Sequence, residues 1–316
     1  MLKHIPVLRD EVIHLLNIQK DGVYLDLTLG RAGHASEILK RLSSKGKVIG
    51  FDQDLEAIKY SKIVLSKISK NFEALHANFV TFPEVLKKLN IYEVDGILLD
   101  LGVSSPQFDD PSRGFSYRNN APLDMRMNTS QDLSAKEVVN FYSLEALVKV
   151  FREYGEDKYS YQVAKNIIQA RKKKLIETTS ELVEIIKLSK PIKELAKKGH
   201  PAKQIFQALR IEVNDELNVL EQTITKALAY LKPGGRLAII SFHSLEDRLV
   251  KQMFNKKTKI EGTRINDFLL PHQIKKEEFR LINRKVICPS QLEQTNNPRS
   301  KSAKLRVVER LKESEV

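Results

Sequence analysis

The chain has 316 residues, 41% of them hydrophobic, with one cysteine (Cys288) and a formal net charge of +13. It can bury a sizeable core, yet it exceeds the ~250–300 residues at which single cores stop growing, so two domains or one domain with a large insertion are expected. A lone cysteine excludes an intramolecular disulfide and a cysteine-built metal cluster, no metal is expected, and no run reaches the ~18–20 apolar residues of a membrane span; the expectation is a cytoplasmic protein without a signal peptide.

In chain order, Pro6 to Leu16 has helical spacing at Leu8, Val12, Leu15 and Leu16 and leads through Lys20-Asp21-Gly22 into a strand, Val23 to Leu27, where apolar residues alternate with Tyr24 and Asp26. The strand runs into Gly30-Arg31-Ala32-Gly33-His34, a strand-to-helix turn that glycines permit. A helix over 35–42 follows, and its unpaired N–H groups would point at whatever lies over the glycines. Asp52 ends the next strand, at roughly the ~20-residue spacing at which nucleotide-binding α/β folds place a carboxylate for ribose hydroxyls. Only Gly30 and Gly33 of the three fingerprint glycines are present, which favours a ribose-bearing ligand without a pyrophosphate, such as S-adenosylmethionine, over NAD. A packing turn beside a surface Asp is the plainer alternative.

The alternation continues with a helix over 55–68, a strand Phe72 to Phe79, a helix over 82–89 and a buried strand Val94 to Asp100, a pattern that means parallel sheet. Phe79 either stacks on a purine ring or packs in the core. Asp100, at a strand's carboxyl end, either accepts from the cofactor's amine or from a nucleobase amine. From about Asp109 the texture turns to turns and then helices only: capping boxes at Ser134-Ala135-Lys136-Glu137 and Thr178-Thr179-Ser180-Glu181, a helix from near Leu144 to Gly155, and one from Asp157 to Lys174. Residues 112–200 thus read as an all-helical insertion between two parts, 1–111 and 201–316, of one α/β domain. Helical spacing returns from Ile205 to Leu231, then Lys232-Pro233-Gly234-Gly235 turns into the strand Arg236 to Ser241, and Ser302 to Val308 is a closing strand, antiparallel beside it. His243 and Ser244 suggest a hydrolase only weakly, because the Gly-x-Ser-x-Gly elbow is absent.

The charge is uneven. Residues 1–111 carry 14 basic and 15 acidic side chains, whereas 112–200 carry 17 and 11 and 248–310 carry 16 and 6. A neutral ligand-binding half with basic segments elsewhere suits a polyanionic partner, and a lysine-rich solvated surface is the alternative. Arg171-Lys172-Lys173-Lys174 grips phosphates or is a favourable helix C-terminus.

His4 to Leu8, Gly30 to His34, Asp100 to Gln107, Arg113 to Ser116, Pro122 to Met127, Phe206 to Ile211, Ser241 to Asp247 and Asn297 to Ser300 together resemble the motif series of the bacterial 16S ribosomal RNA cytosine-N4-methyltransferases, nearly end to end. The resemblance implies a Rossmann-like methyltransferase sheet, mostly parallel, with an inserted all-helical domain for RNA recognition. It implies S-adenosylmethionine as methyl donor and N4 of a decoding-centre cytidine as acceptor. The cofactor is then expected on Ala32, Gly33, His34, Asp52, Phe79, Asp100 and Gln107, with Asp100 also the candidate catalytic group. The expected partner is 16S rRNA or the small ribosomal subunit, with no membrane, and a homodimer stays open. A DNA amino-methyltransferase and a non-catalytic RNA-binding scaffold are the rival readings. The family usually has glycine at Ala32, so the turn is expected to keep a negative φ there, and an acid where Asn128 stands.

Overall fold

A computed structural model of the chain describes residues 6–103, 105–258 and 277–312. His4, Ile5 and Ser104 of the motifs, and much of the basic stretch after 255, lie outside the described residues. The chain divides into two compact units, Met1–Gly102 with Val219–Val316, and Val103–Asn218.

The first unit is built on seven strands, β1 (Val23–Asp26), β2 (Lys47–Asp52), β3 (Phe72–His76), β4 (Val94–Asp100), β5 (Leu231–Ser241), β6 (Phe279–Leu281) and β7 (Lys304–Arg310), in the order β3-β2-β1-β4-β5-β7-β6. The strands β1 to β5 pair in parallel, while β7 runs antiparallel to both β5 and β6. Parallel strands buried on both faces read as near-continuous apolar runs, and Ile97, Leu98 and Leu99 of β4 are all fully buried. The period-2 alternation sends them to opposite sides. Leu25, Ile49, Ile97, Leu99, Leu237 and Ile239 pack against α4 (Phe82–Lys88), α12 (Glu216–Tyr230) and α13 (Ser244–Thr258). Tyr24, Val48, Leu98, Ala238 and Ile240 pack against α1 (Arg9–Leu16), α2 (Gly33–Leu39) and α3 (Leu55–Ser66). This is a doubly wound, Rossmann-like sheet whose order reverses between β1 and β4, the place where such sheets open a crevice at their carboxyl ends.

The second unit is helical: α5 (Ser105–Asp109), α6 (Ala135–Phe141), α7 (Leu144–Glu153), α8 (Ser160–Arg171), α9 (Thr179–Leu188), α10 (Ile192–Leu195) and α11 (Lys203–Asn214). Both expected capping boxes close, Ser134 with Glu137 and Thr178 with Glu181. Leu147, Phe151, Val163, Ile167, Leu182, Ile186, Phe206 and Leu209 form its own core. The expected edges of the insertion, 112 and 200, therefore fall inside this unit. The first edge moves because Val103 and Phe108 pack against the helical core, the second because Phe206 and Leu209 of α11 supply apolar surface to that core rather than to the sheet. The continuous helical spacing from Ile205 to Leu231 is also broken: Asp215 takes a left-handed φ of 49° and separates α11 from α12. The short strand β6 had no sequence signal, because three residues are too few to show a period.

Candidate active site

The site sits in the first unit at the carboxyl ends of β1, β2 and β4. Beyond β1, the N–H of Leu29 donates to Phe51 O (2.9 Å) and that of Ala32 to Leu29 O (2.7 Å), closing a tight turn into α2. Gly30 needs its residue type for its positive φ of 51°, whereas Gly33 needs it for space, since a Cβ there would lie 2.6 Å from Pro6 Cγ. Ala32 does not keep the negative φ expected of it: it sits at φ 59° and ψ 31°, fully buried. A left-handed alanine costs roughly 1–2 kcal/mol, and its methyl is accommodated in the apolar cluster under α2. The same turn geometry that a glycine gives freely is here held by packing and by the Leu29 carbonyl.

Three carboxyl groups converge on this turn. Asp26, 2% exposed at the end of β1, has its pKa pushed up to about 7 by burial, with the charge of Asp52 adding to the effect and the N–H of Thr28 (3.2 Å) opposing it. Asp52, at the end of β2, accepts from Gly30 N–H at Oδ2 and from Asp54 N–H at Oδ1, both at 2.8 Å. Burial nevertheless raises it to about 6. Asp100, at the end of β4, is pushed up to about 8 by burial, then by the charges of Asp26 and Glu246, and its Oδ1 is buried with no hydrogen-bond partner among the described residues. Its backbone N–H donates to Thr28 Oγ1 (2.6 Å), which ties the β4 end to the turn. None of the three has a Lys or Arg partner among the described residues. Buried carboxylates without a counter-ion are expensive, so the arrangement suits a cationic ligand.

His34, on α2, is 5% exposed, with Nε2 2.9 Å from Val7 O and Nδ1 3.7 Å from Asp100 Oδ2. A carbonyl only accepts, so Nε2 carries a proton toward Val7 O. After β5, Glu246 reaches back from the first turn of α13 to accept from the N–H groups of Phe242 (2.7 Å) and His243 (3.2 Å), which fixes the Ser241–Asp247 segment. His243 Nε2 is 3.1 Å from Glu246 Oε1, while Asp247 pairs with Arg306 (2.7 Å) and Lys304 (3.1 Å). The acids of that motif are thus occupied in holding helix and strand together, unlike those of a hydrolase triad.

Of the seven cofactor positions expected, Ala32, Gly33, His34, Asp52 and Asp100 gather around the turn. Phe79 opens a 3-10 helix after β3 and is half-buried against the α4 side of the sheet. Gln107 is buried on α5 in the helical unit. Asp26 was not singled out from sequence. Its signal was there, a carboxylate ending an otherwise apolar strand directly before the glycine turn. In the helical unit, Arg171 Nη1 donates to Val139 O and Lys174 pairs with Glu181, leaving Lys172 and Lys173 of that cluster without partners among the described residues. Arg171 thus spends one donor on tying α8 to α6.

Sheet order, antiparallel last strands and an acid-rimmed turn at the switch point define a nucleoside-binding α/β enzyme of the methyltransferase class. The particular family follows from comparison: residues 1–311 match the model of the MraW methylase family, and the chain belongs to it. It is 51% identical over 311 residues to the ribosomal RNA small subunit methyltransferase H of Streptococcus mutans, with 98% of each chain covered. With the protein of the same name from Spiroplasma kunkelii it shares 53%, covering 98% of this chain and 99% of the other. Among solved structures, an rRNA methylase from Streptococcus thermophilus aligns over 99% of both chains at 12% identity and a TM-score of 0.43. No helix among the described residues is long and apolar enough to cross a membrane.

Proposed function

We propose that the β1–β2–β4 site binds S-adenosylmethionine and that the chain transfers its methyl group to the exocyclic N4 of a cytidine in the RNA of the small ribosomal subunit. The observation that carries this reading is the set Asp26, Asp52 and Asp100, three carboxyls gathered without a basic partner among the described residues, which fits a ligand with a sulfonium and an ammonium. The relatives' name supplies the RNA and the subunit. The enzyme is a S-adenosylmethionine-dependent rRNA methyltransferase, and the cytoplasm is where its substrate is made.

The bound cofactor supplies an electrophilic methyl. In this reading Asp52 accepts from the ribose hydroxyls with the lone pairs that Gly30 and Asp54 leave unused. The turn Ala32–His34 lines the cofactor, and Phe79 faces its purine. The N4 lone pair of cytosine is delocalised into the ring and is a weak nucleophile, so rate comes from in-line positioning. Asp100, ionised once a cationic cofactor lies beside it, would accept an N4 hydrogen at Oδ1, which has no hydrogen-bond partner among the described residues, and would take the proton as the N–C bond forms and the sulfonium's bond to the methyl breaks, leaving a neutral thioether. A paired base is out of reach, so the cytidine is unstacked or extruded. We assign the helical unit to RNA recognition, and self-association is the further partner question, read from the mass in solution.

The test is transfer of labelled methyl to isolated small subunits, followed by nuclease digestion. N4-methylcytidine is the expected nucleoside. Cofactor binding without transfer would make the chain a non-catalytic RNA binder, and transfer to DNA alone would make it a DNA enzyme.

A further inference from the structure

The loop before α11 builds a platform from the helical core outward. Buried Phe206 meets the ring of Tyr117 edge-on, with centroids 5.6 Å apart. Tyr117 in turn lies flat against His200, with centroids 4.2 Å apart and an interplanar angle of 11°. The imidazole is thereby held in one orientation, and it keeps part of its surface exposed. Ala202 N–H donates to His200 Nδ1 (3.2 Å), so the ring proton is on Nε2, and that N–H has no acceptor among the described residues. Burial first, then Lys187 and Arg118, hold the pKa of His200 below its ordinary value, so the ring is neutral at pH 7.

Cations lie near this neutral ring: Lys187 and Arg118 act on it, and Lys198 and Lys203 flank it in sequence. Lys187 and Lys197 are tied to Glu184 and Glu194. Arg118, Lys198 and Lys203 are exposed and have no acidic partner among the described residues. The backbone of Lys203 is tied to that of His200, its main-chain N–H donating to His200 O (3.0 Å), and Gly199 between Lys198 and His200 sits in open space at φ +108°. A rigid flat ring with an unused donor, flanked by unpaired cations, is how proteins hold single-stranded nucleic acid, a base on the ring and phosphates on the charges. An acidic peptide would use the cations but not the ring.

We propose that Tyr117, Arg118 and the 198–203 loop form a binding site for single-stranded RNA, with a base stacked on His200 and phosphates held by Arg118, Lys198 and Lys203. The inference rests on the reading that the substrate is ribosomal RNA and adds where the helical unit grips it.

Anisotropy of a short fluorescein-labelled single-stranded RNA with the full chain, between about 50 and 200 mM salt, tests it. His200→Ala weakens binding about tenfold and leaves the salt slope unchanged, because a neutral ring releases no counterions. His200→Phe, which keeps a stacking plane, recovers most of the loss. Changing Arg118, Lys198 and Lys203 together to Gln lowers the log–log slope by about 2, at roughly 0.7 per lost phosphate contact. Melting temperature and S-adenosylmethionine affinity stay at parental values in all three variants. A parent chain that does not bind the oligonucleotide, or variants that bind it as the parent does, overturn the assignment. Methylation of small subunits by the parent keeps the functional reading intact in that event; its absence overturns that reading instead.

Discussion

Asp52→Ala perturbs the acid whose two oxygens tie the glycine turn to the start of α3. In the folded chain Oδ2 holds Gly30 N–H and Oδ1 holds Asp54 N–H, each at 2.8 Å. Hydrogen bonds to a charged group are worth about 1.5–3 kcal/mol each, but half-exposed donors regain part of that from water and the buried charge is relieved, so the unliganded protein should lose at most about 1–2 kcal/mol of stability. The cofactor loses more than a preformed turn: with the ribose hydroxyls unpaired, affinity should fall at least about tenfold, one decade for every ~1.4 kcal/mol. Titration calorimetry of the parent and the variant, at a temperature where a melt shows both fully folded, separates the two effects. Asp52→Asn keeps one oxygen acceptor and should fall between them in melting temperature. A variant that melts early yet binds cofactor as tightly as the parent would reduce Asp52 to a turn-holding residue and remove the ribose assignment.

The raised acids make two pH dependences run in opposite directions. Asp26, Asp52 and Asp100 bind protons more tightly folded than unfolded, so the unliganded chain should lose stability as pH rises from about 4 toward 8, while affinity for the cationic cofactor rises over the upper part of that window and binding releases protons. Melts and calorimetry in buffers of different ionisation enthalpy read both; a flat affinity profile would refute the cation-complementary site. Ala32→Gly should relieve the left-handed strain and offset it partly with unfolded-chain entropy and a lost buried methyl, giving a melting change between zero and a few degrees upward with cofactor affinity retained. A marked destabilisation would mean that the buried methyl outweighs the strain.

Most of the sheet was legible because buried parallel strands and amphipathic helices write long, strong periods: β1, β2, β4 and α3 fall within a few residues of where the pattern placed them. Asp52 and Asp100 were legible as strand-end acids for the same reason. The conformation of Ala32 was not, since a positive φ in a non-glycine residue is a bargain struck by tertiary packing and leaves no local mark. The outer edge of the helical unit was misplaced because α11 and α12 share one apolar rhythm, and only the turn at Asp215 assigns α11 to the helical core and the later part of α12 to the sheet. The stack of Tyr117 on His200 joins residues over 80 positions apart, beyond any local pattern.

The pairing of β4 with β5 sets Leu98 beside Ala238, about 140 residues later in the chain. On a ribosome adding residues from the N-terminus, β1 to β4 emerge long before the strand that covers the flank of β4, and every residue of the helical unit emerges in between. Contacts so distant in sequence close slowly. Until β5 arrives, β4 waits as an apolar edge with open backbone groups, the surface on which chains pair wrongly with one another. The helical unit, with a core of its own, is free to fold first. Its folding shortens the effective loop that must then be closed, so refolding from denaturant should show an early helical phase followed by slow completion of the sheet, and the yield should fall as protein concentration rises.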